Sequence, residues 1–249
     1  MKNRTSLFLA VLLMLSATFI AGCKDRDDPD ATGTVQLRIV PTFNGNDFSL
    51  GQTYAGRDGR AYRLTFLRYY LSNLFLTKAD NTTELLADVA LIDEGSTDTR
   101  TVSAQIKVGE YTGISYGLGL DADRNGMDPA TFEAEHPQAD VSMYWTWATK
   151  YIFLKYEGET DASGTGGSSN QTYFFHVGGD QYYTPVSETQ TITVVEDETV
   201  TINIALDYDR FLNGINDYID VSVDNATHTM DNMPLANRVI ANWADMANE

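Results

Sequence analysis

In this 249-residue chain, three histidines, one cysteine and seven methionines carry the nitrogen and sulfur lone pairs that bind soft metals. His176 stands in Tyr173-Phe174-Phe175-His176-Val177-Gly178-Gly179, at the end of an aromatic run and just before two glycines. His228 stands in Asn225-Ala226-Thr227-His228-Thr229-Met230, a polar segment with a thioether two residues on and Met233 beyond it. Two neutral imidazoles with a nearby thioether suit copper, because imidazole binds both copper states and sulfur favours copper(I). Met230 is the candidate third ligand. Taken singly, each histidine has an ordinary explanation: His176 as a hydrogen-bonded core or rim residue, His228 as part of a surface loop. The two lie 52 residues apart, so any joint chemistry depends on a fold that brings them together. His136, ahead of Pro137 in an acidic loop, reads as solvent-facing.

Two other segments invite a chemical reading. Asp121-Ala122-Asp123-Arg124-Asn125-Gly126 repeats the opening of an EF-hand loop, with Asp121, Asp123 and Asn125 at alternate positions and glycine sixth, a calcium-binding pattern. Its twelfth position is Phe132, where a bidentate glutamate is needed, and no helical pattern flanks it, so a polar turn is preferred. Trp145 and Trp147 lie in the aromatic block Met143–Gly158, where an uninterrupted strand would turn both to the same buried face. No serine–histidine–acid or cysteine–histidine arrangement stands out, and no carboxylate pair separates itself from 35 acids. The chain does not read as an enzyme.

The elements that must position these residues are mostly strands. Val35, Leu37 and Ile39 alternate, as do Tyr62, Leu64 and Phe66, and Asp58-Gly59 offers a hairpin turn between Tyr54 and Tyr62. Further strands are expected at Leu74–Lys78, Val89–Asp93, Val102–Val108, Tyr111–Leu120, Met143–Tyr156 and Thr172–Val177, with a turn at Gly109-Glu110 and a flexible Gly/Ser-rich loop over 157–170. Thr189–Val195 and Thr199–Asp207 read as a hairpin around Glu196-Asp197-Glu198. Leu235, Val239, Ile240, Trp243 and Met246 recur at helical spacing after Pro234, a residue suited to a first helical turn. The expected fold is all-β, an antiparallel β-sandwich with a short C-terminal helix.

The N-terminus sets the location. Lys2 and Arg4 precede an apolar run from Leu7 to Ile20, and Ile20-Ala21-Gly22 leads into Cys23, the pattern of a bacterial lipoprotein signal. A soluble secretory signal and an N-terminal transmembrane anchor are the competing readings, but the run is short for a span. The chain then divides into a signal peptide at 1–22, an acidic tether at 23–33 beginning with the lipidated Cys23, and a sandwich at 34–249. The acidic run Asp25-Arg26-Asp27-Asp28-Pro29-Asp30 resembles the export signal of surface lipoproteins in Bacteroidetes-type bacteria. The expected location is therefore the outer membrane, on the cell surface or the periplasmic face, with the N-terminal lipid as the expected anchor. As the only cysteine, Cys23 leaves no internal disulfide and no cysteine metal site. Residues 1–22 hold two basic and no acidic side chains, so the remainder carries 15 basic against 35 acidic, formally −20. Such a field repels nucleic acid and favours cations.

Taken in order, several blocks resemble the MbnP-like family of copper-binding proteins: Tyr62–Leu74, Tyr116–Asp121, Met143–Gly158, Phe175–Gly179, His228-Thr229-Met230 and Leu235–Trp243. The resemblance spans nearly all of 34–249. It implies a secreted or surface-held β-sandwich that binds copper, in some members through two histidines and an oxidised tryptophan, kynurenine. By the order of blocks the histidine roles pass to His176 and His228. The modified tryptophan of those members lies two residues before a histidine; here that place holds Phe174. The resemblance allows Trp145 or Trp147 instead as the oxidised tryptophan, which nothing in the sequence requires, and implies a dihaem cytochrome c peroxidase-like enzyme as partner. The expected function is a lipid-anchored, non-enzymatic copper-binding protein for capture, storage or transfer of the metal at the cell envelope. The alternatives are a surface interaction module for glycan or protein, with structural histidines, and an accessory protein whose tryptophans are substrates of a haem enzyme.

Overall fold

A computed structural model describes residues 30–147, 149–164 and 171–246. The expected signal peptide, Cys23, most of the tether and the Gly/Ser-rich stretch 165–170 lie outside the described residues. The chain forms β1 (Thr32–Phe43), β2 (Asn46–Asp47), β3 (Thr53–Ala55), β4 (Ala61–Thr77), β5 (Thr83–Asp93), β6 (Thr101–Lys107) and β7 (Gly109–Leu118). A short helix α1 (Ala122–Asn125) follows. Then come β8 (Tyr144–Trp145), β9 (Lys150–Tyr151), β10 (Leu154–Thr160), β11 (Gln171–Val177), β12 (Thr184–Val194), β13 (Thr199–Asp207), β14 (Ala226–Thr227) and helix α2 (Met233–Met246).

The strands build an all-β, sandwich-like fold closed by α2. The smaller sheet has β13 beside β1 on one edge and β6 and β2 on the other. The larger runs β12-β7-β4-β10-β11-β14, with β3 and β5 also paired to β4. β4 is its spine, and the expected strand at Leu74–Lys78 is the far end of this one long element. Two pairings are parallel, β1 with β13 and β11 with β14, so the sheets are mixed rather than purely antiparallel.

The alternation read from the sequence holds where a strand is regular. Val35, Leu37 and Ile39 are buried, and Tyr54 pairs with Tyr62 across the Asp58-Gly59 turn. In β4 the alternation slips by one residue opposite Glu157/Gly158, where a bulge leaves Phe66 half-exposed and hands the core positions to Leu67 and Tyr69. Three further expectations are corrected. Thr189–Val195 and Thr199–Asp207 do not pair as a hairpin, because β12 lies on β7 in the larger sheet and β13 on β1 in the smaller; the turn at 196–198 crosses between layers. The Gly109-Glu110 turn is compressed, with β6 ending at Lys107 and β7 starting at Gly109. The long aromatic strand Met143–Tyr156 is broken into the small hairpin β8–β9, whose two strands pair antiparallel, and the main-sheet strand β10.

Between the layers lies an aromatic core. Tyr156 meets Phe211 at 4.8 Å, and Trp243 of α2 meets Tyr69 at 5.7 Å and Phe211 at 6.0 Å. Helix α2 buries Leu235, Val239, Ile240, Trp243 and Met246, the stripe expected from their spacing, and packs on β11 and β14. It therefore fixes from beneath the two strands that carry the histidines. Among the described residues no helix is long and apolar enough to cross a membrane.

Candidate metal centre

Strand β11 sends Tyr173, Phe175 and Val177 into the core, so Phe174 and His176, one residue out of phase, face outward. On one side lies β14, parallel, with Phe174 opposite Ala226 and Phe175 opposite Thr227. Continuing that register by one residue sets His228 beside His176. The 52-residue gap in sequence is thus an offset between neighbouring strands, and the two rings stand with centroids 5.1 Å apart at 74°. On the other side β10 pairs Glu157 with Phe174, which makes Glu157 a diagonal neighbour of His176, within reach of a long side chain.

Each imidazole meets a carboxylate. His176 Nε2 lies 2.8 Å from Glu157 Oε1, and His228 Nδ1 lies 3.2 Å from Asp231 Oδ2. The hydrogen bond from His176 holds the Glu157 carboxyl below its ordinary range against the opposing effect of desolvation. Desolvation likewise pushes Asp231 up, but hydrogen bonds from the backbone N–H and ring of His228 outweigh it and leave the carboxyl lowered. The His176 side chain is 15% exposed and that of His228 42%, so the pair is open on one side.

Thr229 pins the two histidine segments together. Its side chain is fully buried; its hydroxyl donates to the His176 carbonyl at 2.9 Å and accepts the Gly178 N–H at 3.1 Å. To do this it adopts φ +70°, a costly left-handed conformation for a β-branched residue. Gly178 has its own requirement: a methyl there would overlap the Tyr151 carbonyl, so only glycine lets the end of β11 pass so close to β9.

An aromatic rim borders the pair. Phe174 lies 5.4 Å from the His176 ring and 4.8 Å from that of His228. Trp145 meets His228 edge-on at 6.3 Å, and Trp147 meets Trp145 at 5.8 Å. Trp147 is 72% exposed, so the expected buried tryptophan face does not form; the β8–β9 hairpin leaves Trp145 half-buried against the core beside His228 and Trp147 on the outer surface.

The remaining candidates are placed as follows. Met230 follows Thr229 and is 64% exposed, near His228 in the chain but not packed into the site. His136 is half-buried rather than fully solvent-facing: it stacks on Phe132 at 4.1 Å, and its Nδ1 accepts the Gln138 N–H. In the calcium-like segment, Asp121 caps α1 through the Arg124 N–H and accepts from Asn73. Asn125 is buried with its amide bonded to Thr149, Asp180 and Tyr151, and Asp123 is exposed. The segment is thus a short capped helix, with Asp121 and Asn125 engaged in holding the fold.

The donor set suits a soft ion. With metal–nitrogen bonds of about 2 Å and about 1.2 Å from ring centre to nitrogen, two imidazoles on one tetrahedral ion have centroids about 5 Å apart. The observed 5.1 Å fits that geometry. Among the described residues no three histidine, cysteine or acidic groups converge as a cage. Two imidazoles with an aromatic rim favour a low-coordinate soft cation over a hard one that needs six or more oxygens.

A family model described as MbnP matches residues 32–231, a span that includes both histidines, Glu157 and Asp231. The chain belongs to the MbnP family. Among solved structures it is similar to MbnP from Methylosinus trichosporium, at 18% identity with a TM-score of 0.49, covering 73% of this chain and 77% of that one. Among curated proteins nothing matches it. Within this MbnP-family chain, sequence reasoning found both histidines and the neighbouring tryptophans. It missed Glu157, assigned to a loop, and Asp231 and Thr229, which carried no signal apart from their closeness to His228.

Proposed function

We propose that this MbnP-family chain is a lipid-anchored, non-enzymatic protein that captures, stores or passes on copper at the cell envelope. The observation that carries the reading is the pair of outward-facing imidazoles with centroids 5.1 Å apart, each braced by a carboxylate. Copper would sit between His176 and His228, whose neutral rings supply lone pairs acceptable to both oxidation states. Glu157 and Asp231 raise ring basicity and hold the rings in place. The acidic surface concentrates cations near the site, and a lipid on Cys23 keeps it at the outer membrane.

Metal analysis of protein purified without added metal, alongside a His176→Ala/His228→Ala variant, tests this. Near-stoichiometric copper in the parent and its loss in the variant support the reading; a parent devoid of copper even after reconstitution with copper(I) overturns it. The second reading, a surface module for glycan or protein, is favoured by one feature, the exposed Trp147 beside the half-buried Trp145, which offers a stacking platform. If a dihaem peroxidase-like partner acts on the chain, Trp145 is the indole placed to be oxidised, because Phe174 occupies the position two residues before His176.

A further inference from the structure

A neutral imidazole carries one proton, and the nitrogen that donates to a carboxylate is the one that bears it; the lone pair is left on the other. His176 turns Nε2 to Glu157, whereas His228 turns Nδ1 to Asp231. We propose that the two rings present opposite nitrogens to a shared ion, Nδ1 from His176 and Nε2 from His228, with Glu157 and Asp231 as the positioning residues that select them. This rests on the copper reading above and extends it to the atoms involved.

The Asp231 carboxylate is itself held. Asp231 Oδ1 accepts the His228 backbone N–H at 2.7 Å and the Thr227 hydroxyl at 3.3 Å, which aims Oδ2 at the ring. For Glu157 the register of β10 between β4 and β11 fixes the backbone, and the bond to His176 Nε2 orients the carboxyl. The third histidine serves as an internal reference: His136 Nδ1 accepts the Gln138 N–H at 3.1 Å, so in its neutral form the proton is on Nε2. Of three imidazoles, His228 alone should then be the Nδ1–H tautomer.

Long-range proton–nitrogen NMR of metal-free, histidine-labelled protein at a pH where the rings are neutral reads this directly. The expected spectrum has one Nδ1–H ring, His228, and two Nε2–H rings, His176 and His136. Silver(I), a diamagnetic stand-in for copper(I), should shift His176 Nδ1 and His228 Nε2 and leave His136 unmoved. Asp231→Asn keeps the Oδ1 acceptor but replaces Oδ2 with an amino donor, which should drive His228 to the Nε2–H form and weaken copper(I) about 10- to 100-fold. Circular dichroism confirms that the variant is folded, and the parent spectrum tests the proposal without any variant. An Nε2–H form of His228 in the parent, or silver bound through the carboxylate-facing nitrogens, overturns the assignment while leaving copper binding intact. Predicted tautomers with no uptake of silver or copper overturn the copper reading and the ligand assignment with it.

Discussion

Thr229 combines an unfavourable backbone with two buried hydrogen bonds, so replacing it separates strain from attachment. At φ +70° its conformation costs roughly 1–3 kcal/mol for a non-glycine residue. Against that, its hydroxyl bonds the His176 carbonyl, worth about 1 kcal/mol net, and the Gly178 N–H, a buried donor whose stranding costs about 1–3 kcal/mol. Thr229→Ala keeps the strain and loses both bonds, so it should destabilise the protein by about 2–4 kcal/mol. Thr229→Gly loses the same bonds but relieves the backbone, so the net loss should shrink to about 0–2 kcal/mol. Thr229→Ser keeps the hydroxyl and should stay within about 1 kcal/mol of the parent. Urea unfolding followed by tryptophan fluorescence gives the order, and competition with a copper(I) chelator gives the second readout. Alanine and glycine should both weaken copper, since either frees the His228 loop from the His176 strand. An alanine variant as stable as the serine one, or more stable than the glycine one, would refute the reasoning.

Other consequences are accessible to similar measurements. Glu94, whose side chain is fully buried, accepts from Tyr208 at 2.6 Å and pairs with Arg100 at 2.5 Å, so Arg100→Met should cost about 3–5 kcal/mol in urea unfolding by leaving that carboxylate without its counter-charge. Asp121 is pushed up by desolvation but pulled further down by the Arg124 N–H and the Asn73 amide, giving a net lowered carboxyl. Its contribution is therefore present above its ordinary value of 3.8 and lost as pH falls through the depressed one; Asp121→Ala should cost about 1 kcal/mol at pH 6, and the gap between the unfolding curves should close toward pH 2. If a dihaem peroxidase-like enzyme acts on the chain, co-expression should change the intact mass through Trp145, and peptide mapping of a Trp145→Phe variant should show that change abolished.

The fold was legible wherever period-two alternation ran unbroken, as in β1 and around Tyr54–Tyr62, because facing one core leaves a local pattern. It was not legible where long-range pairing decided. β12 and β13 look like a hairpin from their turn residues, yet β13 joins β1 in the other layer, a choice made by contacts some 160 residues away in sequence. The block Met143–Tyr156 has strand composition throughout, with no glycine or proline to announce that β8 and β9 pair antiparallel within it. In the candidate site, imidazoles are rare enough to be singled out by type, whereas Glu157 and Asp231 are two acids among 35 and acquire meaning only from the register of β10, β11 and β14.

X-ray absorption at the copper edge, on protein loaded with one equivalent of copper(I), bears most directly on whether the paired rings share an ion. Two imidazoles should appear in the outer-shell scattering, with copper–nitrogen distances near about 2 Å, and both should vanish with the metal in His176→Ala/His228→Ala. Copper retained at full stoichiometry in that double variant, with its scattering unchanged, would contradict the account.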